Sequence, residues 1–453
     1  MYFETECLSN LGMRTISTLP CGVFTDLCSQ LLPSGEIRRV FRKCGVKRRR
    51  PPLVTQEKLV QALIFHTIAG AGTLAQHLKT LTGQKITDGA LSQRRARLPW
   101  EVFELLMASA LRPKADPARH PDAFYHGLRL CGLDGSRFSI NNTPQVKRQM
   151  KKARSRRGRA AFAQLGVAVM VELGLHNPIA ATVGMREESE MELAKALLPR
   201  LPEKSLLLGD RYYGVAEVLV GLEEKGQREF LVRVRKNLKP RYLERYADGS
   251  ALVEIRAGKK KRLVREIVGQ VKHQRGPVTM VRLWTSLLDW RGHPAMELLA
   301  LYARRWEQEV FYKELKVDTR STPRVQSHTP LTAAQEIAAL ILAYAVLVDH
   351  RIEAAQVGEV GVLRISFLKT LEAMRGLWLF LQVTSDLLSA KEVRLVVRRT
   401  MRQLADRAIP KRRQRSCQRA LRQPVSSWPR LRKNTYRRGP VVYTVNHSTT
   451  PNS

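Results

Sequence analysis

The stretch from residue 128 to residue 235 limits the fold more than any other part of the chain. LRLCGLDGSRFSI begins as an apolar run, breaks at a turn and starts a second strand. LGVAVMVELG and IAATVG follow as apolar, β-branched runs, split by the turn signal Leu175-His176-Asn177-Pro178. ESEMELAKALLPRL then has helical spacing, SLLLGD is a short buried strand, VAEVLVGLEEKG is a helix closed by Gly226, and REFLVRVR is a last strand. The order is β-β-β-α-β-α-β. Apolar runs this short must pair into one sheet, and the helices between them must cover its faces. The expectation is a multidomain α/β chain built on a mixed sheet with flanking helices.

The flanking regions have other textures. Residues 1–125 read as a helical N-terminal domain that binds DNA. The basic stretch Arg38–Arg50 ends in RRRPP, where two prolines stop any helix. TLAQHLKTLTGQKITDGALSQRRARL reads as a helix, a turn at Gly83 and a second helix from near Thr87 that carries Arg94, Arg95 and Arg97. That is the outline of a helix-turn-helix, although two amphipathic helices joined by a glycine turn explain it equally well. Residues 236–294 hold LVEIRAG, KRLVREIVGQV and VTMVRLWTSLLD, and read as a β-rich insertion that divides the core into 126–235 and 295–350. The apolar run Ile337–Val348 is about half of what a bilayer needs and reads as a buried helix, not a membrane span. Residues 351–453 read as a helical C-terminal region and a basic tail, with eleven Lys or Arg between Lys411 and Arg438.

Charge points to the partner. The 453 residues carry 78 Lys plus Arg against 40 Asp plus Glu, a formal net charge of +38. Such a surface repels itself unless a polyanion is near. Nucleic acid fits, because each neutralised phosphate releases counterions and adds affinity. The cluster Lys147–Arg159, with eight Lys or Arg in thirteen residues, is a candidate track for a DNA strand. The six cysteines form no C-x-x-C pair and MYFETECLSN lacks the pattern of a signal peptide, so a reducing, cytoplasmic setting is expected.

Three carboxylates stand out. Asp134 follows the apolar run LRLCGL, and Asp210 follows SLLLG, so each is delivered from a strand end. With 302–316 taken as one α-helix at about 100° per residue, Tyr302, Arg305, Glu309 and Lys316 fall within about 60° of one another and Lys313 joins them. Glu307 and Glu314 lie more than about 100° away, which selects Glu309 as the carboxylate framed by Arg305, Lys313 and Lys316. Arg305 and Glu309 are also an ordinary i,i+4 ion pair, and spacing alone leaves both readings open. Phosphodiester chemistry needs an activated hydroxyl in line with a leaving oxygen, and two divalent ions can serve both. Mg²⁺ prefers hard carboxylate ligands, and three ionised carboxylates sit close together only with cations between them.

The segment YARRWEQEVFYKELK fits a signature of Tyr, Arg, Glu and Lys at Tyr302, Arg305, Glu309 and Lys316. With LDGSRFS around Asp134 and LLLGDRYY around Asp210, the chain resembles the insertion sequence 4 family of DDE transposases over roughly residues 30–350. The resemblance implies an RNase H-like catalytic core, whose strands come in the order read above, with a β-rich insertion before the Glu helix. It implies that Asp134, Asp210 and Glu309 are the catalytic residues and hold two Mg²⁺ ions, with Mn²⁺ able to substitute. It implies that Tyr302, Arg305 and Lys316 contact DNA at the cleavage site; Lys313 and Arg211 are further candidate contacts. Excision at terminal inverted repeats and insertion into target DNA would follow, carried out by a homodimer that holds both ends in the bacterial cytoplasm, near the nucleoid. Some relatives pass through a hairpin end in which a Trp traps a flipped base; Trp284 and Trp290 are both candidates. Two other readings stay open: a DNA-binding protein that has lost catalysis, and a stand-alone RNase H-like nuclease.

Overall fold

The computed structural model describes residues 28–46 and 54–410, apart from 153, 156–157, 186–187, 223–225, 274–277, 321–323 and 385–386, together with 416–417, 421–422, 429–430, 436–437 and 441–445. The chain enters through helices α1 (Ser34–Lys43), α2 (Gln56–Ala69), α3 (Leu74–Thr82), α4 (Asp88–Ala96) and α5 (Trp100–Ala110). Local chemistry sets their ends. Thr55, Thr73 and Thr87 cap α2, α3 and α4 by accepting from Lys58, Gln76 and Ala90 backbone N–H groups. Gly83 ends α3 at φ 69°, a left-handed position that suits glycine.

Five strands follow: β1 (Leu128–Ser139), β2 (Gln164–Glu172), β3 (Asn177–Val183), β4 (Ser205–Gly209) and β5 (Arg228–Arg233). They lie in the order β3-β2-β1-β4-β5, with β1–β2 and β2–β3 antiparallel and β1–β4 and β4–β5 parallel. The two parallel pairs need crossovers, which α6 (Glu190–Leu197) and α7 (Ala216–Gly221) help to supply. The β2 side chains alternate between two cores: Leu165, Val167, Val169 and Val171 enter one, Ala168 and Met170 the other. The second core also takes Leu193, Ala194 and Leu197 of α6. This mixed sheet, covered on both faces, has the strand order and helix cover expected of the core.

Residues 236–294 do not stand apart as a module. Strands β6 (Arg241–Arg245), β7 (Ala251–Ala257), β8 (Lys260–His273) and β9 (Thr279–Thr285) continue the same sheet in the order β5-β9-β8-β7-β6. The joint is β9 against β5, where Trp284 pairs with Val232. From the far end of the chain, β10 (Val441–Val445) pairs with β8. The chain then returns to the core through α8 (Ala295–Leu301) and α9 (Trp306–Lys313). Helices α10 (Pro330–Val357), α11 (Phe367–Val383) and α12 (Ala390–Asp406) complete it. Helix α10 packs against α2, α5, β3, α11 and α12. By length and composition α10 could cross a membrane, but 89% of its most apolar window is buried inside the protein, which accounts for that composition. Of the expected basic tail only short strand segments are described, and most of Lys411–Arg438 lies outside the described residues.

Candidate active site

The parallel pairing of β1 with β4 runs from Arg129 opposite Ser205 to Gly132 opposite Leu208. Continued by two residues, the register sets Asp134 beside Asp210. The sequence suggested that Asp134 opens a turn. Instead β1 runs on to Ser139, because β2 pairs with it from Asp134 opposite Val169 to Ser139 opposite Gln164. Asp134 is therefore a mid-strand residue, 9% exposed, and its Oδ1 accepts from Gly135 N at 2.8 Å. Strand β4 does stop at Gly209, and Asp210 sits in the turn beyond, accepting from Tyr212 N at 2.7 Å. Arg211 is exposed in that turn.

The third carboxylate comes from a helix that is not uniform. Tyr302–Arg305 is a 3₁₀ turn, α9 is α-helical, and Glu314–Asp318 is a π turn. Three residues make a full turn in a 3₁₀ helix, so Tyr302 and Arg305 share one face. Tyr302 donates its hydroxyl to Gly209 O at 3.1 Å, and Arg305 Nη1 lies 3.5 Å from Glu309 Oε1. Helix α9 is fixed across the sheet by Tyr312, which donates to Asp134 O at 2.6 Å, and by Gln308, which donates to Val169 O at 3.2 Å. The π turn separates the two lysines. Lys316 reaches back to donate to Ser136 Oγ at 2.9 Å and Arg137 O at 2.8 Å. Lys313 turns away to pair with Asp318 at 2.6 Å. The structure thus gathers Tyr302, Arg305, Glu309 and Lys316 around β1 and β4, and leaves Lys313 and Arg211 at the surface.

Electrostatics ties the carboxylates to one another. Burial, then Glu309 and Asp210, push the Asp134 carboxyl up to about 7. Burial works against the charge on Arg305, but Tyr302, Glu309, Asp134 and Asp210 outweigh it and raise its pKa. Tyr302 is pushed up to about 12, chiefly by burial. Among the described residues, no group of three or more His, Cys, Asp or Glu side chains is close enough to ligate one ion as the side chains stand. The donor set nevertheless suits a hard divalent cation: three carboxylate side chains from β1, the turn after β4 and α9 disfavour one another's charge, and a cation would remove that cost.

Comparison with known proteins points in the same direction. Residues 126–346 match the family described as Transposase DDE domain. Transposase InsG for insertion sequence element IS4, from Escherichia coli strain K12, is 24% identical over 300 residues, covering 65% of this chain and 64% of the relative. Over these spans the chain is similar to DDE transposases of the insertion sequence 4 kind. The chain thus aligns with just under two thirds of InsG's length. Putative transposase InsZ from the same organism is 24% identical over 208 residues, 44% of this chain and 67% of that one. A piggyBac transposase synaptic complex with hairpin DNA is a distant structural neighbour at 12% identity, with 85% of each chain covered and a TM-score of 0.39.

Several residues near the site had no signal in the sequence. Glu190, in the first turn of α6, is a fourth carboxylate near Asp134; its Oε1 accepts from the Tyr213 hydroxyl at 3.0 Å. Behind α9, buried His176 bridges two carboxylates on either side of Glu309: Nε2 lies 2.8 Å from Glu307 Oε2 and Nδ1 2.8 Å from Glu314 Oε2. Tyr344 donates to Glu314 at 2.6 Å, and Arg351 lies 3.4 Å from it. Burial opposes charge throughout this network. The two carboxylates still raise the His176 pKa, and Arg351 and His176 pull Glu314 down to about 2.

Other expectations resolve differently. Trp284 is 2% exposed, donates to Glu266 Oε2 at 2.7 Å and shares its core with Leu133, Ala168 and Leu193. Trp290 is half-buried and stacks on Tyr246 with ring centroids 6.0 Å apart. Arg95, placed by sequence on a DNA-reading helix, instead clamps α4 to α10, donating to Thr332 O at 2.7 Å, Ser327 Oγ at 3.2 Å and Gln335 Oε1 at 3.3 Å. Arg97 remains exposed. In the Lys147–Arg159 cluster, Lys147, Arg148 and Lys151 are exposed and Lys152 donates to Ala161 O at 2.8 Å; the side chains of 153–159 lie outside the described residues.

Proposed function

We propose that the chain cuts double-stranded DNA at the terminal inverted repeats of a mobile element and joins the ends to target DNA, with Asp134, Asp210 and Glu309 as its catalytic carboxylates. The observation that carries this reading is geometric: the register of β1 against β4 sets Asp134 beside Asp210, and Tyr312 and Gln308 fix the helix that bears Glu309 across β1 and β2. Asp134, Asp210 and Glu309 would hold two Mg²⁺ ions, or Mn²⁺ in their place, and the ions when bound would activate the attacking hydroxyl and stabilise the leaving oxygen. Arg305, kept charged beside Glu309, would grip a phosphate flanking the scissile bond. Lys316 has a flexible ammonium held against the end of β1 and would hold the next stretch of backbone. Tyr302 stays protonated and, through Gly209 O, fixes the turn that carries Asp210. Two DNA ends must be held together, so we place the reaction in a homodimer, in the bacterial cytoplasm.

The test supplies purified protein and Mg²⁺ with a labelled duplex ending in the element's own terminal repeat, plus a plasmid target. Joined product is expected. Binding without cutting or joining would overturn the reading in favour of a DNA-binding protein without catalysis.

A further inference from the structure

Helix α12 carries a row of cations that the active site does not use. Its buried face is Val397, Met401, Leu404 and Ala405, set against α10. At about 100° per residue, Lys391, Arg394, Arg398 and Arg402 fall within about 80° of one another along the flank of that face. All four are exposed, and none makes an ion pair with a described residue. Of the two acids of the helix, Glu392 lies off the row and accepts from Ser389 N and Oγ at 2.7 Å, and Asp406 stands one turn beyond Arg402, at the end of the row, without an ion pair to it. Neighbouring like charges three or four residues apart each cost about 0.2–0.5 kcal/mol in an isolated helix. Among the described residues no acid lies on the row between the four cations, and a polyanion laid along the row would offset that cost.

We propose that this row is a docking surface for the phosphate backbone of double-stranded DNA, outside the cleavage site. The inference rests on the reading that the chain handles DNA. The row rises about 16 Å along the helix, and one strand of a duplex presents a phosphate about every 3.4 Å of axis, or about five over that length. Four cations therefore match a run of backbone in both length and charge. They carry no sequence information, since base edges are read from the grooves by other geometry. A lipid surface fits less well. A helix lying in a membrane interface buries its apolar face in lipid, and the apolar face of α12 is already buried in protein.

The experiment replaces Lys391, Arg394, Arg398 and Arg402 together with Gln, a good helix former, in the full chain. Affinity for a duplex that carries the element's end and extends well beyond the cleavage site is measured across a salt series. Circular dichroism and cleavage of a short end duplex report that the fold and active site persist. The slope of log affinity against log salt should fall by between about 3 and 4, so each doubling of salt costs wild type about twelvefold more affinity than the variant. An unchanged slope in a folded variant would overturn the proposal and leave the transposase reading intact. Failure of wild type to bind any duplex would overturn both. A loss confined to binding of phosphatidylserine vesicles, with duplex binding unchanged, would also overturn it.

Discussion

Replacing Glu314 with glutamine removes one charge from the buried network behind α9 while keeping the shape of the side chain. In the folded protein Arg351 and His176 hold this carboxyl at about 2, against an ordinary value of 4.5. A difference of about 2.5 pH units corresponds to about 3 kcal/mol of stability. The group's pKa is depressed on folding, so its contribution is present above about pH 4.5 and is lost as pH falls towards about 2. His176 has the opposite sign. Its pKa is raised on folding, so its contribution is present below its ordinary value of 6.5 and is lost as pH rises through the folded value. The network is strongest between these limits. Glu314→Gln also strands Arg351, which is 0% exposed, without a counter-charge, and breaking buried pairs costs about 3–5 kcal/mol. Urea unfolding at pH 6 should show a loss of about 3 kcal/mol or more, narrowing as pH is lowered below 4.5. Equal unfolding midpoints at pH 6, or a gap that stays constant down to pH 2.5, would show that the Glu314 charge does not stabilise the fold.

Other consequences are independent of that network. Gly132→Ala would put a methyl group 2.5 Å from Gln308 Oε1 and 2.7 Å from Leu173 Cδ2, so it should push α9 off β1 and lower cleavage at least tenfold while the protein stays folded by circular dichroism. Trp284→Ala should cost about 3–5 kcal/mol in denaturant titration, as for a fully packed aromatic, whereas Trp290→Ala should cost less than about half of that. Arg305→Ala removes the cation coupled to all three carboxylates, and single-turnover cleavage should fall by about 10²–10³ with end binding largely kept. Lys313→Ala, which breaks only an exposed pair with Asp318, should change cleavage by less than about threefold.

What could be read from the sequence was whatever depends on short-range pattern. The strand order of the core follows from its apolar runs, and Asp210 lies where the run SLLLG ends. The Glu309 stripe survives although the helix beneath it changes type twice, because a 3₁₀ turn keeps Tyr302 and Arg305 on one face. The features missed are those set by distant partners. The turn read at Asp134, between two strands, is instead continuous strand because β2 holds it there. Lys313 and Lys316 share a stripe only in a regular helix, and the π turn sends them to different partners. Arg95 sits in a basic run, and only its contacts with Ser327, Thr332 and Gln335 show that it is a clamp. Glu190 and His176 are unremarkable in sequence, since no spacing rule links them to residues more than fifty positions away.

We propose that Asp134, Asp210 and Glu309 act as one metal-dependent centre. The direct measurement is cleavage of a plasmid carrying the element's flanking ends, with Mg²⁺ or with EDTA, by wild type and by Asp134→Asn, Asp210→Asn and Glu309→Gln, with end binding followed in parallel. Wild type should cut at the repeat boundaries with Mg²⁺ only, and all three variants should bind the ends without cutting. Cutting that survives EDTA, or that any one of the three variants retains, would contradict the proposal.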